Sequence, residues 1–230
     1  MESQETKTTN VELANILNSK LWIAFELAIV STIIGFRLVP VTDTPVIFLI
    51  GWLVLRFRNL RWRDIGFQKP DSWGKAIGSG ALFAMLYSPF ELLVLEPAIV
   101  KLTGSPVNLS QFAGIQGNIV NFIILMIIAW TLAAIMEELV YRGYLMNRFT
   151  DLFGSNKLGW GLSIFITAAL FGLAHFYQGI SGVIVIFFYG VVSGVFYLFS
   201  KKNLWPVMFF HGVFDTIGIT LLYLGKYPGV

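Results

Sequence analysis

The chain has no cysteine, only two histidines and few charged residues. The absence of cysteine excludes disulfide bonds, thiolate metal sites and a cysteine nucleophile, although it does not identify a compartment. Charged residues make up 13% of the sequence, whereas about 25% is usual in soluble domains. The net charge of +3 is small and dispersed, so we expect no nucleic-acid partner. Side chains suited to proton transfer or metal binding are therefore few, and their positions are informative.

Apolar residues, which make up 56% of the chain, dominate instead. They form seven segments, at 21–36, 41–55, 76–99, 118–138, 160–176, 180–199 and 204–224. A helix needs roughly 17 to 25 residues to cross a bilayer, so the first two are short. The third contains Pro89 and Pro97, which would allow a break. The sequence predicts an all-α fold, a polytopic membrane helix bundle of about 7–8 transmembrane helices.

We expect two parts in the chain. Residues 1–20 are polar and lack a cleavage pattern, which favours a cytoplasmic N-terminal segment over a signal peptide. Residues 21–230 show no fixed repeat and no linker, so they should form a single transmembrane domain surrounded by membrane lipids.

The basic residues are distributed unevenly between alternate connections. With the N-terminus in the cytoplasm, all of the 16 Lys and Arg residues except Arg37, Lys101 and Lys226 fall on the cytoplasmic side. The positive-inside rule describes this bias. The sequence therefore predicts a multi-pass protein, placed in the cell membrane, whose N-terminus is cytoplasmic.

Two adjacent glutamates, Glu137 and Glu138, end the fourth apolar segment. A charged side chain at membrane depth costs about 2.5–3.5 kcal/mol on insertion scales, so we expect the adjacent pair to have a specific role. In E-E-L-V-Y-R-G, Glu138 and Arg142 share a helix face, so Arg142 could hold Glu138 ionised and oriented. Glu137, offset by about 100 degrees, would remain the freer base. The alternative is a solvated charged patch where the helix reaches the cytoplasm.

Two further patterns place histidines in apolar segments. In F-G-L-A-H, Phe171 and His175 share a helix face, so the ring can pack over the imidazole and fix its rotamer. In H-G-V-F-D, His211 and Asp215 have the same spacing. A single membrane histidine is often only a packing residue, but His211 and Asp215 both need partners in an apolar medium. With the glutamates, these groups could activate a water molecule and stabilise an oxyanion, or ligate a divalent metal.

The order E-E-x-x-x-R, F-x-x-x-H and H-x-x-x-N/D on three successive motif-bearing segments resembles the CPBP intramembrane proteases. That family contains the type II CAAX prenyl endopeptidases and the bacteriocin-processing or Abi proteins. The resemblance covers about residues 118–224, and the basic segment 58–67 is similar to the family's cytoplasmic loop. It implies a bundle of about eight helices.

The resemblance also implies hydrolysis of a peptide bond in a cavity open to the cytoplasm. Glu137 matches the water-activating glutamate, with Glu138 beside it and His175 assisting. His211 and Asp215 match the pair assigned to the oxyanion. The prenyl endopeptidases carry asparagine at the position of Asp215, whereas an ionised aspartate only accepts hydrogen bonds. We expect Asp215 to be protonated, to orient His211 or to bind a metal.

The last option predicts a metalloendopeptidase. His175, His211 and Asp215 would then ligate one divalent ion such as Zn. The substrate would be a peptide or a membrane protein, prenylated in one branch of the family. The alternative is a non-catalytic member that acts as a membrane scaffold or a bacteriocin self-immunity protein.

Convergence of the three motifs sets a condition on the fold. The helix that bears Glu137 should continue past Arg142 to about Asn147, which places the glutamates below the cytoplasmic surface.

Other features of the sequence should have structural roles. Glu26 and Glu91 would pair within the bundle, and G-V-V-S-G at 190–194 is typical of close helix packing.

Overall fold

A computed structural model describes residues 15–39 and 42–228. The described ranges are helical and contain no strand. Most of the N-terminal segment predicted at 1–20 lies outside them. The long helices are α1 (Lys20–Gly35), α2 (Thr44–Phe57), α3 (Trp73–Thr103), α4 (Ile119–Phe153), α5 (Lys157–Ala174), α6 (Gly179–Phe199) and α7 (Leu204–Tyr223). Short 3₁₀ turns occupy Trp62–Ile65, Ser110–Ile115 and Phe176–Gln178.

Helices α3 to α7 are long and apolar enough to cross a membrane. Helices α1 and α2 have 16 and 14 residues, so they are as short as the sequence predicts, below the roughly 17 residues of a full crossing. The predicted all-α membrane bundle is confirmed.

The two prolines of α3 change its hydrogen-bond pattern without ending it. Pro89 lies inside the helix and lacks a donor. The next turn, Glu91–Leu95, widens into a π-turn, and Pro97 lies in the first turn of the α-helical part that resumes at Glu96. Helix α3 therefore stays continuous instead of breaking, and Glu91 lies on a π-turn, a feature that is frequent at functional sites.

Helix α4 extends beyond the predicted segment. It continues past Arg142 to Phe153, so the predicted extension to about Asn147 is confirmed and exceeded. Two stretches, Ala129–Glu137 and Leu139–Leu145, are π-helical. The glutamates therefore lie near the middle of a long embedded helix, not at the end where a solvated patch would form.

Glu26 fastens α1 to α4. Arg148 donates from Nε to Glu26 Oε1 at 2.9 Å, and the Tyr144 hydroxyl donates to the same oxygen at 2.5 Å. Arg148 also donates from Nη2 to the carbonyl of Leu17 at 2.6 Å. The predicted pairing of Glu26 within the bundle is confirmed.

Helices α5 and α6 pack closely along the glycines of α6. A Cβ atom on Gly190 would lie 2.9 Å from Ala168 Cα, and one on Gly194 would lie 3.1 Å from Ile164 Cγ2. The predicted close-packing role of G-V-V-S-G is confirmed.

Contacts between connections define two ends of the bundle. At the first, here called the basic end, the connections 58–72, 154–156 and 200–203 meet. The amide of Leu204 donates to the carbonyl of Gly66 at 2.9 Å, and Lys202 Nζ lies 4.2 Å from the centre of the Trp160 ring.

The other end is here called the opposite end. It brings together the connection 104–118, the turn 175–178 and residues 224–228. The amide of Asn108 donates to the carbonyl of Gln178 at 2.8 Å, and the amide of Gly117 donates to the carbonyl of Tyr223 at 3.0 Å. Arg37 reaches the same turn, with Cζ 5.9 Å from the centre of the Tyr177 ring.

Candidate active site

Glu138 lies at the centre of a buried polar cluster. Its Oε1 accepts a hydrogen bond from Arg142 Nη1 at 3.0 Å and lies 2.8 Å from His211 Nδ1. Glu138 is 0% exposed and Arg142 3% exposed. The predicted contact between Glu138 and Arg142 is confirmed. Because a carboxylate accepts hydrogen bonds, Nδ1 of His211 carries a proton, which leaves Nε2 to face elsewhere.

Aromatic rings hold the Arg142 guanidinium in place. Its Cζ lies 4.7 Å from the centre of the Phe171 ring and 5.8 Å from the centre of the Tyr189 ring. The Phe171 ring also packs edge-on against the His175 ring, 4.8 Å between centroids. Phe171 therefore contacts two polar residues of the predicted site, as its spacing to His175 suggested.

His175 follows the last residue of α5. Its Nδ1 lies 2.8 Å from the carbonyl oxygen of Phe171. Because a carbonyl accepts, Nδ1 carries the proton and Nε2 keeps a free lone pair.

Asp215 lies one helical turn beyond His211 and faces it. His211 Nε2 and Asp215 Oδ2 are 3.6 Å apart, within ion-pair range but longer than a hydrogen bond. Asp215 therefore faces His211 without a hydrogen bond to it.

The motifs converge on one cavity of about 860 Å³, a volume typical of ligand sites. Glu137, His175, His211 and Asp215 all lie on its wall. Oε2 of Glu137 is buried and has no hydrogen-bond partner. Oε2 of Glu138 also lacks a partner, so the two glutamates differ in two other respects: Oε1 of Glu138 contacts two side chains, and only Glu137 lies on the cavity wall.

Residues 119–217 match the family model described as "Type II CAAX prenyl endopeptidase Rce1-like". This part of the chain is Rce1-like. The match runs from the start of α4 into α7 and includes all three motifs, so the predicted family is confirmed. No curated protein and no solved structure shows a significant match. With five helices that can cross a membrane, the chain is an integral membrane protein, and its residues 119–217 are similar to a CAAX-type protease family.

In the part of the chain that the structure describes, the Rce1-like motifs are not grouped as a metal centre. Within residues 15–39 and 42–228, no group of three or more His, Asp or Glu residues is placed to hold a metal ion. Nδ1 of His211 contacts Glu138 and Nδ1 of His175 contacts a carbonyl, which leaves both Nε2 atoms available as ligands. The three predicted ligands, His175, His211 and Asp215, are nevertheless not grouped as a metal site.

Two cavity residues of the Rce1-like site lie outside its motifs. Glu91 is 3% exposed and its Oε2 has no hydrogen-bond partner, so the predicted pairing of Glu91 is not seen for this oxygen. The Tyr189 ring lies 5.2 Å from the His211 ring, and its buried hydroxyl has no partner. Glu91 carries a sequence signal, a carboxylate in an apolar segment without a basic residue nearby. Tyr189 carries none.

The cavity extends from the Rce1-like motifs to the opposite end. There its wall includes Arg37, Gln111, Tyr177 and Tyr227. The Tyr227 hydroxyl donates to Glu96 Oε2 at 3.0 Å, and burial raises the pKa of Tyr227, so it remains a donor. None of the described residues in the connections of the basic end lines the cavity. The start of α1, where Asn18 contacts Arg58 of the basic end, and this part of the cavity therefore lie at different ends of the bundle.

Proposed function

We propose that the chain is an intramembrane endopeptidase that hydrolyses a peptide bond inside this cavity. One observation carries the proposal: a buried carboxylate oxygen of Glu137 without a partner, on a wall shared with His175, His211 and Asp215. A carboxylate so placed can take a proton from a water molecule. The Rce1-like match supports a peptide as the substrate.

Glu137 acts as the general base. It accepts a proton from water as the water oxygen bonds to the carbonyl carbon of the substrate. The same proton then passes to the amide nitrogen as the C–N bond breaks, which restores the carboxylate. Nε2 of His175, left free by the bond from Nδ1 to Phe171, accepts a hydrogen bond from this water and orients it.

His211 stabilises the tetrahedral oxyanion. With Nδ1 held by Glu138, a protonated Nε2 donates to the negative oxygen, and Asp215 orients the ring from 3.6 Å. Loss of one such donor typically lowers kcat by about 10²–10³-fold. Glu138 is a positioning residue, because its contacts are to Arg142 and His211 and it does not border the cavity.

The orientation that we propose puts the N-terminus and the basic end in the cytoplasm, with the protein in the cell membrane. The exposed basic residues of that end are Lys20, Arg56, Arg61, Arg63, Lys69, Lys75, Lys157, Lys201 and Lys202. The positive-inside rule favours this orientation.

The test compares peptide termini in cells that express the chain or its Glu137→Gln variant. Glutamine keeps the size of the side chain but cannot accept the proton, so the termini produced by the wild type should disappear. Glu96→Gln is the matched control, since Glu96 also lies on the cavity wall but outside the motifs. Identical termini in wild type and Glu137→Gln, at equal abundance in the membrane, would refute the protease and favour the scaffold.

A further inference from the structure

One buried carboxylate on the cavity wall has no role in the proposed reaction. Glu91 lies on the π-turn of α3, is 3% exposed, and its Oε2 has no hydrogen-bond partner. Such an oxygen is costly to bury, because it has lost water without gaining a donor. Since Glu91 lines the cavity wall, a molecule in the cavity can supply the donor.

Glu91 differs in this respect from the other buried glutamates of the described residues. Each of those accepts a hydrogen bond from a side chain: Glu26 from Arg148, Glu138 from Arg142 and Glu96 from Tyr227. The ion pairs among the described residues do not include Glu91. The hydroxyl of Tyr87, on the preceding turn, also has no partner. The protein therefore supplies no cation for Glu91.

Glu91 borders the same part of the cavity as the motif of α7. The ring of Tyr87 lies 5.9 Å from the ring of Phe214, the residue before Asp215. Helix α3 thus packs against α7 beside this motif, and Glu91, Phe214 and Asp215 all line the cavity. A peptide that reaches Asp215 passes this part of the wall, so one of its side chains can meet Glu91.

The charged groups of the cavity wall are mainly acidic. Four carboxyl groups lie on it, whereas the described lysines and arginines contribute only Arg37. Arg37 belongs to the opposite end, where its Cζ lies 5.9 Å from the centre of the Tyr177 ring. Carboxylates in a cleft with apolar walls attract a cation, because the low dielectric strengthens the interaction.

We infer that Glu91 binds a lysine or arginine side chain of the peptide that enters the cavity. The ammonium or guanidinium group donates to the free Oε2 and provides the charge that the carboxylate lacks. Apolar residues such as Leu92, Ile128 and Phe214 line the rest of the wall, so the segment is largely apolar with one basic residue. Cleavage of this segment rests on the proposed function, whereas the cation site does not.

Binding tests the cation site without catalysis. The Glu137→Gln variant, purified in detergent, is titrated with fluorescent apolar peptides in which a single lysine is moved along the sequence. Each peptide has a counterpart with norleucine, which keeps the methylene chain of lysine without its charge. At one position the lysine peptide should bind about 10–100-fold more tightly than its counterpart, as expected for a hydrogen bond to a charged group.

The preference for lysine should disappear when Glu91→Gln is added. Glu96→Gln is the matched control and should keep the preference, because Oε2 of Glu96 is bonded to Tyr227. Glu91→Met serves in case Glu91→Gln does not fold. Equal binding of lysine and norleucine peptides at every position would overturn the inference, as would a preference that survives in Glu91→Gln. Loss of the preference in Glu96→Gln would also overturn it, because the summed charge and not Glu91 would then select lysine.

Cleavage of the same peptides by the wild type separates this site from the proposed function. The wild type should cleave the preferred lysine peptide with a kcat/KM about 10–100-fold above that of the norleucine peptide. Cleavage of both peptides at equal kcat/KM would overturn the inference and leave the protease standing. Binding with the lysine preference but no cleavage of either peptide would refute the proposed function and leave the cation site established.

Discussion

Helix α4 carries two buried arginine–carboxylate pairs, and they differ in their surroundings. Arg148 and Tyr144 both donate to Glu26, next to the basic end and away from the cavity. Arg142 donates to Glu138, which also contacts His211 on the cavity wall. The first pair joins two helices, whereas the second fixes a residue that reaches the cavity. A buried ion pair therefore does not by itself indicate chemistry.

The largest effect is expected at Glu137, which belongs to neither pair. Loss of a general base typically lowers the rate by about 10²–10⁴-fold, so Glu137→Gln should reduce cleavage of a reporter by that factor. Stability should change by less than about 0.5 kcal/mol, because Oε2 has no partner to lose. Thermal unfolding in detergent checks the second half of the prediction. A large loss of stability would assign Glu137 to structure.

The next largest effect, on the free energy of unfolding, should distinguish the two arginine–carboxylate pairs. Arg148→Met leaves Glu26 buried without its cation, which typically costs about 3–5 kcal/mol. Unfolding in detergent measures it, with the exposed Arg61→Met as control. The double variant with Glu26→Gln should recover part of the loss. Residual folded Arg148→Met should retain its cleavage rate per molecule, and a rate loss as large as that of Glu137→Gln would remove the distinction between the pairs.

A smaller effect on the rate is expected at Glu138. Glu138→Gln removes the charge that faces Arg142 and weakens the hold on His211 Nδ1. Changes to residues that orient a metal-binding histidine typically cost about 10–100-fold, and we expect a loss of this order here. We expect kcat to fall while KM stays near the wild-type value, since Glu138 does not border the cavity. A rise in KM alone would place Glu138 in substrate binding.

The smallest effect is expected at Asp215. Asp215→Asn keeps the side chain beside His211 and supplies an amide donor at the cavity, so the cleavage rate should change by less than about tenfold. The amount of bound metal, measured by mass spectrometry on the purified protein, should be the same in the wild type and in Asp215→Asn. Loss of one metal ion per chain together with activity would restore the metal-site hypothesis.

The motif residues could be identified from the sequence because an ionisable side chain in an apolar segment is unusual. The i,i+4 spacing also correctly predicted the contact between Glu138 and Arg142. It could not predict that His211 would contact Glu138, because this contact depends on the packing of α7 beside α4. Tyr189 gave no signal, since an aromatic residue in an apolar helix usually packs in the core. The cytoplasmic opening of the cavity stays a prediction, because motif order carries no information about the side of the membrane.

The π-helical stretches of α4 change how the helix would respond to a deletion. A π-turn holds one more residue than an α-turn, so deletion of Ala133 would be absorbed by a return of one turn to regular α-helix. The residues on either side would keep their register, whereas the same deletion in a regular α-helix would turn them about 100 degrees relative to each other. Helix α4 should thus tolerate the removal of one residue from a π-helical stretch better than from its α-helical parts.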